Sequence, residues 1–135
     1  MKIYFAGSIR GGRKDKLTYL RLISHLKKFG EVLSEHIGSQ KLTNSGEKIP
    51  ASKIYRRDIQ LIASSDVFVA EVSTPSLGVG HEIGIAKHLG KKILCLHKSA
   101  MSERVSAMIK GDSSLIVKGY ENLDQALKLI DEFLR

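Results

Sequence analysis

Apolar residues along the chain follow two patterns, short continuous runs and helical spacing. Five strands are predicted by the runs "KIYFAG" (2–7), "EVLSEH" (31–36), "DVFVAEV" (66–72), "KKILCLH" (91–97) and "SLIVKG" (114–119). Helical spacing predicts helices over 14–29, 52–64, roughly 80–89, near 101–110, and 122–134. The polar, turn-rich segment 38–51 predicts a mobile loop.

Strands that alternate with helices, and are apolar on both faces, predict a parallel sheet covered by helices on each side. Right-handed crossovers and short connections favour an α/β fold with a doubly wound five-stranded sheet, of the flavodoxin-like or Rossmann-like type. With 135 residues, the chain is expected to form a single domain over 1–135. Ligands of such sheets bind beyond the carboxyl ends of the strands, so the loops there are the candidate site.

Two of these loops are rich in glycine, "GSIRGGR" (7–13) and "STPSLGVGHE" (73–82). In the first loop, backbone N–H groups and a helix N-terminus could bind an anion. The hydroxyl of Ser8 and the guanidinium of Arg10 suit a phosphate. The loop matches neither the Walker A motif nor the dinucleotide fingerprint, and its glycines could equally serve a tight strand-to-helix turn.

Glu82 lies at the predicted start of the helix after the third strand, where two interpretations are open. It could stabilise the helix dipole, an effect of ~0.3–1 kcal/mol. It could instead be a reactive carboxylate, which the helix N-terminus would keep ionised at neutral pH. Asp58 is typical of a solvated helix face, and Tyr4 is typical of a buried tyrosine whose hydroxyl has one partner.

The formal net charge of +8 raises the question of nucleic-acid binding. Seven Lys and Arg residues lie between Arg10 and Lys28 against one acid, Asp15, which favours a solvated helix face or a small anionic ligand. Four Phe and four Tyr provide few rings for base stacking, so no nucleic-acid partner is expected. No membrane segment, signal peptide or metal-ligand spacing is found, and the single Cys95 fits a cytoplasmic protein without a metal.

In order and spacing, four segments resemble the 2'-deoxynucleoside 5'-monophosphate N-glycosidases, hydrolases related to the nucleoside 2-deoxyribosyltransferases. The segments are "KIYFAGSIRGGR", "RDIQLIASSDVFVAEVSTPSLGVGHEIG", "KKILCL" and "VSAMIKG". The resemblance spans nearly the whole chain and fails mainly over 38–51. It implies hydrolysis of a deoxynucleoside monophosphate to free base and 2-deoxyribose 5-phosphate, by a homodimer that needs no cofactor.

The resemblance also implies a role for each matching residue. Glu82 would attack C1' to give a covalent deoxyribosyl-enzyme, Asp58 would act as general acid and base, and Tyr4 would orient the nucleophile. This fits the chemistry, because a departing base leaves an oxocarbenium-like centre and needs a proton. The residues implied to bind substrate are Gly7, Ser8, Ile9, Arg10, Gly11, Ser76, Gly78, Gly80, Met108 and, reaching across from the partner subunit, Ser106.

Two positions depart from the family pattern. His81 stands where an aromatic residue is expected, and Ala6 stands where the family often has cysteine. Base preference is therefore left open. Two alternatives to the hydrolase are also kept, a deoxyribosyltransferase that exchanges bases and an inactive nucleotide-binding module. The Ser8 and Arg10 phosphate clamp argues against the transferase, because such enzymes act on unphosphorylated nucleosides.

Overall fold

The structure is a computed structural model that describes residues 1–9, 12–34 and 48–135. Within them the strands are β1 (Lys2–Gly7), β2 (Glu31–Val32), β3 (Val67–Glu71), β4 (Lys92–Lys98) and β5 (Ile116–Tyr120). The α-helices are α1 (Gly12–Leu26), α2 (Ala51–Ser64), α3 (Leu77–His88), α4 (Ala107–Lys110) and α5 (Leu123–Leu134). A 3₁₀ helix, Ser99–Arg104, follows β4.

The described strands form a five-stranded parallel sheet in the order β2-β1-β3-β4-β5. The predicted α/β fold with a doubly wound parallel sheet is confirmed. From β1 the chain first moves outward to β2 and then returns to the other side of β1 as β3. The strand order therefore reverses between β1 and β3, and a crevice is expected at that reversal, beyond the carboxyl ends of both strands.

Each face of the sheet packs against its own pair of helices. On β3, Val67 and Val69 face the core shared with α1 and α5, while Phe68 and Ala70 face the core shared with α2 and α3. This double burial explains why the strands are apolar on both faces. None of the helices among the described residues is long and apolar enough to cross a membrane.

Helix α3 begins at Leu77, earlier than the predicted start near residue 80. Ser76 is extended and its hydroxyl accepts a hydrogen bond from the Val79 amide at 3.2 Å, which is the geometry of an N-cap. Gly78 and Gly80 therefore lie in the first turn of a helix and not in a loop. Because the segment is rich in glycine, the sequence pattern did not predict this helix start.

Other predicted boundaries also differ from the structure. The helix expected near 101–110 is divided into the 3₁₀ helix and the short α4, which Ser106 caps. Helix α1 ends at Leu26 and is followed by a turn over 27–29. Strand β2 is confirmed only at Glu31–Val32, and positions 35–36 and most of the predicted loop lie outside the described residues.

Gly7, the last residue of β1, lies against the ring of Tyr19, so a larger residue should destabilise the fold. A Cβ atom there would be 2.8 Å from Tyr19 Cζ, and Tyr19 is buried with its ring edge against Phe5. We expect Gly7→Ala to lower the free energy of unfolding by ~1–3 kcal/mol, measured by denaturant titration.

Gly84 provides the matched control, because a Cβ atom at this position of α3 meets nothing within 4 Å. Gly84→Ala should stabilise the protein by about 0.5–1 kcal/mol, since alanine is the better helix former. Equal stabilities of Gly7→Ala and the wild type would contradict the close approach of Tyr19.

Candidate active site

Tyr4 and Glu82, which lie 78 positions apart in the sequence, are joined at the centre of the candidate site. The Tyr4 hydroxyl donates a hydrogen bond to one carboxylate oxygen of Glu82. The Tyr4 ring is buried and stacked on Phe68 of β3, with centroids 5.2 Å apart. Because both rings belong to the two strands at the reversal point, the sheet fixes the hydroxyl that holds Glu82.

Asp58 approaches this pair from α2. Its carboxylate is close enough to raise the pKa of both Tyr4 and Glu82. The Arg57 guanidinium donates to Asp58 at 2.9 Å, and the Asp58 side chain is only 16% exposed. Asp58 therefore does not lie on a solvated helix face, as its position in the sequence suggested. The structure brings together all three residues that the resemblance assigned to catalysis.

The pKa of the Glu82 carboxyl is raised to about 7. Burial is the main cause, and the negative charge of Asp58 adds to it, while the bond from Tyr4 and the charge of Arg57 act in the opposite direction. The expectation that a helix N-terminus keeps Glu82 ionised is wrong, because Glu82 lies in the second turn of α3. Both protonation states are thus populated at neutral pH.

Tyr4 remains the proton donor in this bond at neutral pH. Burial raises the pKa of its hydroxyl far above the ordinary value, and the neighbouring Glu82 charge raises it further. An ionised Tyr4 beside an ionised Glu82 would place two negative charges in a poorly solvated site. The pair can therefore hold a carboxylate in a fixed orientation without exchanging its own proton.

Helices α1 and α3 both begin where a strand ends, at the carboxyl edge of the sheet, and so direct two N-termini toward the crevice. Ser8 is buried at the end of β1, and Ile9 follows it. Positive helix ends and a hydroxyl group favour an anion at this place. The predicted contributions of Arg10 and Gly11 fall outside the described residues.

The backbone amides in the first turn of α3 differ in whether they are available to bind an anion. The Gly80 amide already donates to the Ser76 carbonyl at 3.1 Å, whereas the amides of Leu77 and Gly78 precede the first intrahelical acceptor. Beside Gly80 a side chain would meet nothing within 4 Å. The space beside Gly80 is therefore open, but its N–H group is engaged.

Ser106 and Met108 are not joined to the Tyr4–Glu82 pair by any hydrogen bond among the described residues. The Ser106 hydroxyl accepts from the Met108 amide at 3.2 Å and so caps α4. The Met108 side chain is 84% exposed. Within one chain, these two residues therefore act locally.

Tyr55 is a site residue that the sequence did not single out. Its ring stacks on His81, with centroids 6.2 Å apart and an interplanar angle of 25°, and both residues are exposed. Tyr55 precedes Asp58 by one helical turn and His81 precedes Glu82 by one residue, so the rings form a rim beside the acids. The signal in the sequence was this helical spacing from Asp58.

The described residues contain no group of three or more His, Cys, Asp or Glu side chains that could hold a metal ion. The acids of the site are instead engaged by protein groups, Glu82 by Tyr4 and Asp58 by Arg57. The arrangement can supply a carboxylate in a fixed orientation, a second carboxyl group nearby and an anion-binding helix end.

Comparisons with known proteins agree with the motifs. A model described as nucleoside 2-deoxyribosyltransferase matches residues 3–125. The chain is 44% identical over 135 residues to the 5-hydroxymethyl-dUMP N-hydrolase of Tetraodon nigroviridis, covering 95% of each chain. It is 42% identical over 141 residues to the protein of the same name from Esox lucius, covering 100% of this chain and 97% of that one.

A solved structure of the CMP N-glycosidase of Clostridium botulinum is similar in fold. Its TM-score is 0.71 at 23% sequence identity, and the match covers 98% of this chain and 99% of that chain. The family resemblance drawn from the sequence motifs is thus confirmed, and so is the architecture.

The bond between Tyr4 and Glu82 should be visible in the titration of Glu82. Because this bond favours the ionised carboxylate, Tyr4→Phe should raise the Glu82 pKa above its value of about 7 in the wild type. Carbon-13 NMR of the labelled side-chain carboxyl measures both midpoints. Tyr55→Phe is the control, since Tyr55 does not contribute to the Glu82 pKa. A wild-type midpoint near the ordinary value of 4.5 would contradict the burial of this acid.

Proposed function

We infer that this chain, which belongs to the nucleoside 2-deoxyribosyltransferase family, hydrolyses the N-glycosidic bond of 2'-deoxynucleoside 5'-monophosphates. The products are the free base and 2-deoxyribose 5-phosphate. The names of the two fish relatives support a deoxynucleotide substrate. The observation that carries the proposal is the Glu82 carboxylate held by Tyr4 at the strand reversal, with Asp58 beside it.

In the first step, one oxygen of ionised Glu82 forms a bond to C1' of the sugar. The bond from C1' to the base nitrogen breaks, and its electron pair leaves with the base. Asp58 supplies the proton that the leaving base needs, so it begins this step protonated and gains its negative charge only as the base departs. Tyr4 holds the other oxygen of Glu82, so the attacking oxygen keeps its orientation while positive charge develops on the sugar.

In the second step, water attacks C1' of the glycosyl-enzyme and the bond from C1' to Glu82 breaks. Asp58, now ionised, accepts a proton from the water, and Glu82 returns to its carboxylate form. Arg57 limits the cost of that charge, because its guanidinium donates to Asp58 at 2.9 Å. The cycle ends with both acids in their starting states.

The 5'-phosphate is proposed to bind at the two helix N-termini. Ser8 and Ser76 place hydroxyl groups there, and Arg10 is proposed to pair with the phosphate from the loop after β1. Gly7, Ile9, Gly11, Gly78 and Gly80 would line the same path. Binding a non-reacting part of the substrate in this way orients C1' on Glu82.

We further propose that the enzyme is a cytoplasmic homodimer, with residues 1–135 as one domain and Ser106 of each chain completing the partner's phosphate pocket. The exposure of two apolar side chains supports this. Leu77, at the start of α3, is 97% exposed, and Met108, at the start of α4, is 84% exposed, and both helices cover the same face of the sheet. A partner that covers them would bring Ser106 toward a crevice.

Turnover should depend on Glu82. We expect Glu82→Gln to lower kcat on the order of 10³-fold or more while nucleotide binding is retained, because the amide cannot form the covalent intermediate. The assay is free-base release from a panel of deoxy- and ribonucleoside monophosphates that includes 5-hydroxymethyl-dUMP. Glu132→Gln, an exposed acid on α5, is the control and should change nothing.

Two outcomes of the substrate panel would contradict hydrolysis and assign another function to the chain. Base exchange only after a second base is added would assign the chain to the transferase, the activity for which the family model is described. Binding without turnover, unaffected by Glu82→Gln, would assign an inactive nucleotide-binding module.

The dimer should be detected by light scattering at micromolar concentration. We expect Met108→Glu to shift the protein toward monomer and to weaken nucleotide binding, because a charge would then be buried in the interface. Leu17→Glu is the control, since Leu17 is 53% exposed on α1, at the other face of the sheet. A wild-type monomer that hydrolyses nucleotides at full rate would contradict the shared pocket.

A further inference from the structure

The segment that connects β3 to α3 is anchored on both sides by neighbouring serine and threonine residues. On the inner side, the Ser73 amide and hydroxyl donate to the buried Glu71 carboxylate at 2.7 and 2.9 Å, and Tyr120 of β5 donates to the same carboxylate. On the outer side, the Thr74 hydroxyl donates to Asp15 of α1 at 2.7 Å. One anchor therefore binds the segment to the sheet, and the other binds it to α1.

Asp15 has an unusual position for a residue beside an anion site. It lies in the first turn of α1 and is only 9% exposed. A helix N-terminus favours a carboxylate, but this carboxylate would repel a phosphate bound at the same end. Lys98 of β4, whose ammonium lies 3.5 Å from Asp15, offsets part of that charge. Asp15 is thus directed toward Thr74 and Lys98.

The Asp15–Thr74 bond spans the two elements that would hold a phosphate. Asp15 belongs to the helix that follows the Ser8 loop, and Thr74 lies two residues before Ser76, the cap of α3. The contact joins positions 59 apart in the sequence, across the strand reversal. The bond therefore adds a side-chain link between the two helix ends to the backbone pairing of β1 with β3.

We propose that the Asp15–Thr74 hydrogen bond is a positioning contact that sets the spacing of the two helix N-termini for the 5'-phosphate of the substrate. This rests on the proposed function, because it takes the phosphate ester of a deoxynucleotide as the ligand. Thr74 and Asp15 act through Ser76 and the two helix ends and do not touch the reacting atoms. Loss of the bond should weaken recognition of the phosphate and leave the Tyr4–Glu82 pair in place.

The test compares substrates with and without the phosphate. Thr74→Val removes the hydroxyl at similar volume. It should raise KM for 5-hydroxymethyl-dUMP about 10-fold, the size expected for the loss of a hydrogen bond to a charged group. The value of kcat should stay within about twofold of the wild type. For the same nucleoside without its phosphate, kcat/KM should change by less than about twofold. Calorimetry with 2-deoxyribose 5-phosphate should show the same weakening of Kd as the nucleotide.

Two further variants separate positioning from general stability. Thr74→Ser keeps the hydroxyl and should restore KM and Kd to near the wild-type values. Ser114→Ala removes another hydroxyl-to-carboxylate bond, from Ser114 to Asp112 at 2.6 Å, which is exposed and remote from the crevice, and should leave both constants unchanged.

Several results would overturn the proposal: an unchanged Kd in Thr74→Val, an equal loss for nucleotide and nucleoside, or a Thr74→Ser variant as impaired as Thr74→Val. A wild type that binds 2-deoxyribose 5-phosphate but hydrolyses no nucleotide would refute the proposed function only, and the ratio of Kd values would still decide the positioning role. A wild type that hydrolyses nucleotides and nucleosides with equal kcat/KM, and does not bind 2-deoxyribose 5-phosphate, would overturn the positioning role and leave hydrolysis standing.

Discussion

The reversal of strand order between β1 and β3 is the constraint on which the rest of the structure depends. The chain leaves β1 toward one edge of the sheet and returns on its other side, so α1 and α2 must cover opposite faces. Helices α1 and α3 then begin beyond the carboxyl ends of β1 and β3, on opposite faces of the sheet. Ser8 and the cap of α3 lie at the same edge because the register pairs Gly7 with Glu71.

The same packing makes the ionised form of Glu82 unfavourable in the folded protein. Its pKa is raised from 4.5 to about 7, so the folded protein binds a proton more tightly than the unfolded chain does. The contribution of Glu82 to stability is therefore largest at acid pH and declines as the pH rises from about 4.5 toward 7. An acid needed only for a helix end would remain in solvent. Such burial supports the proposed role of Glu82 as nucleophile.

The sequence predicted the fold more fully than the site. Apolar runs such as 67–70 require burial on both faces, and that alone indicates a covered parallel sheet. The start of α3 was placed too late, because Gly78 and Gly80 have low helix propensity while the Ser76 cap outweighs them. The Glu82 pKa and the Asp15–Thr74 bond depend on contacts between distant segments, which local patterns do not encode. The family resemblance supplied Tyr4 and Asp58, whose isolated positions indicated only a core tyrosine and a solvated acid.

The bond from Tyr4 to Glu82 also makes the two oxygens of one carboxylate inequivalent. A free carboxylate can rotate and present either oxygen, in either orientation, to a nearby centre. Here one oxygen accepts a hydrogen bond from a phenol whose ring is stacked on Phe68, so the other has a single direction of approach. A sugar seated in the crevice would meet Glu82 on one face of its ring only. Under the proposed mechanism, a core tyrosine would then set the handedness of the reaction.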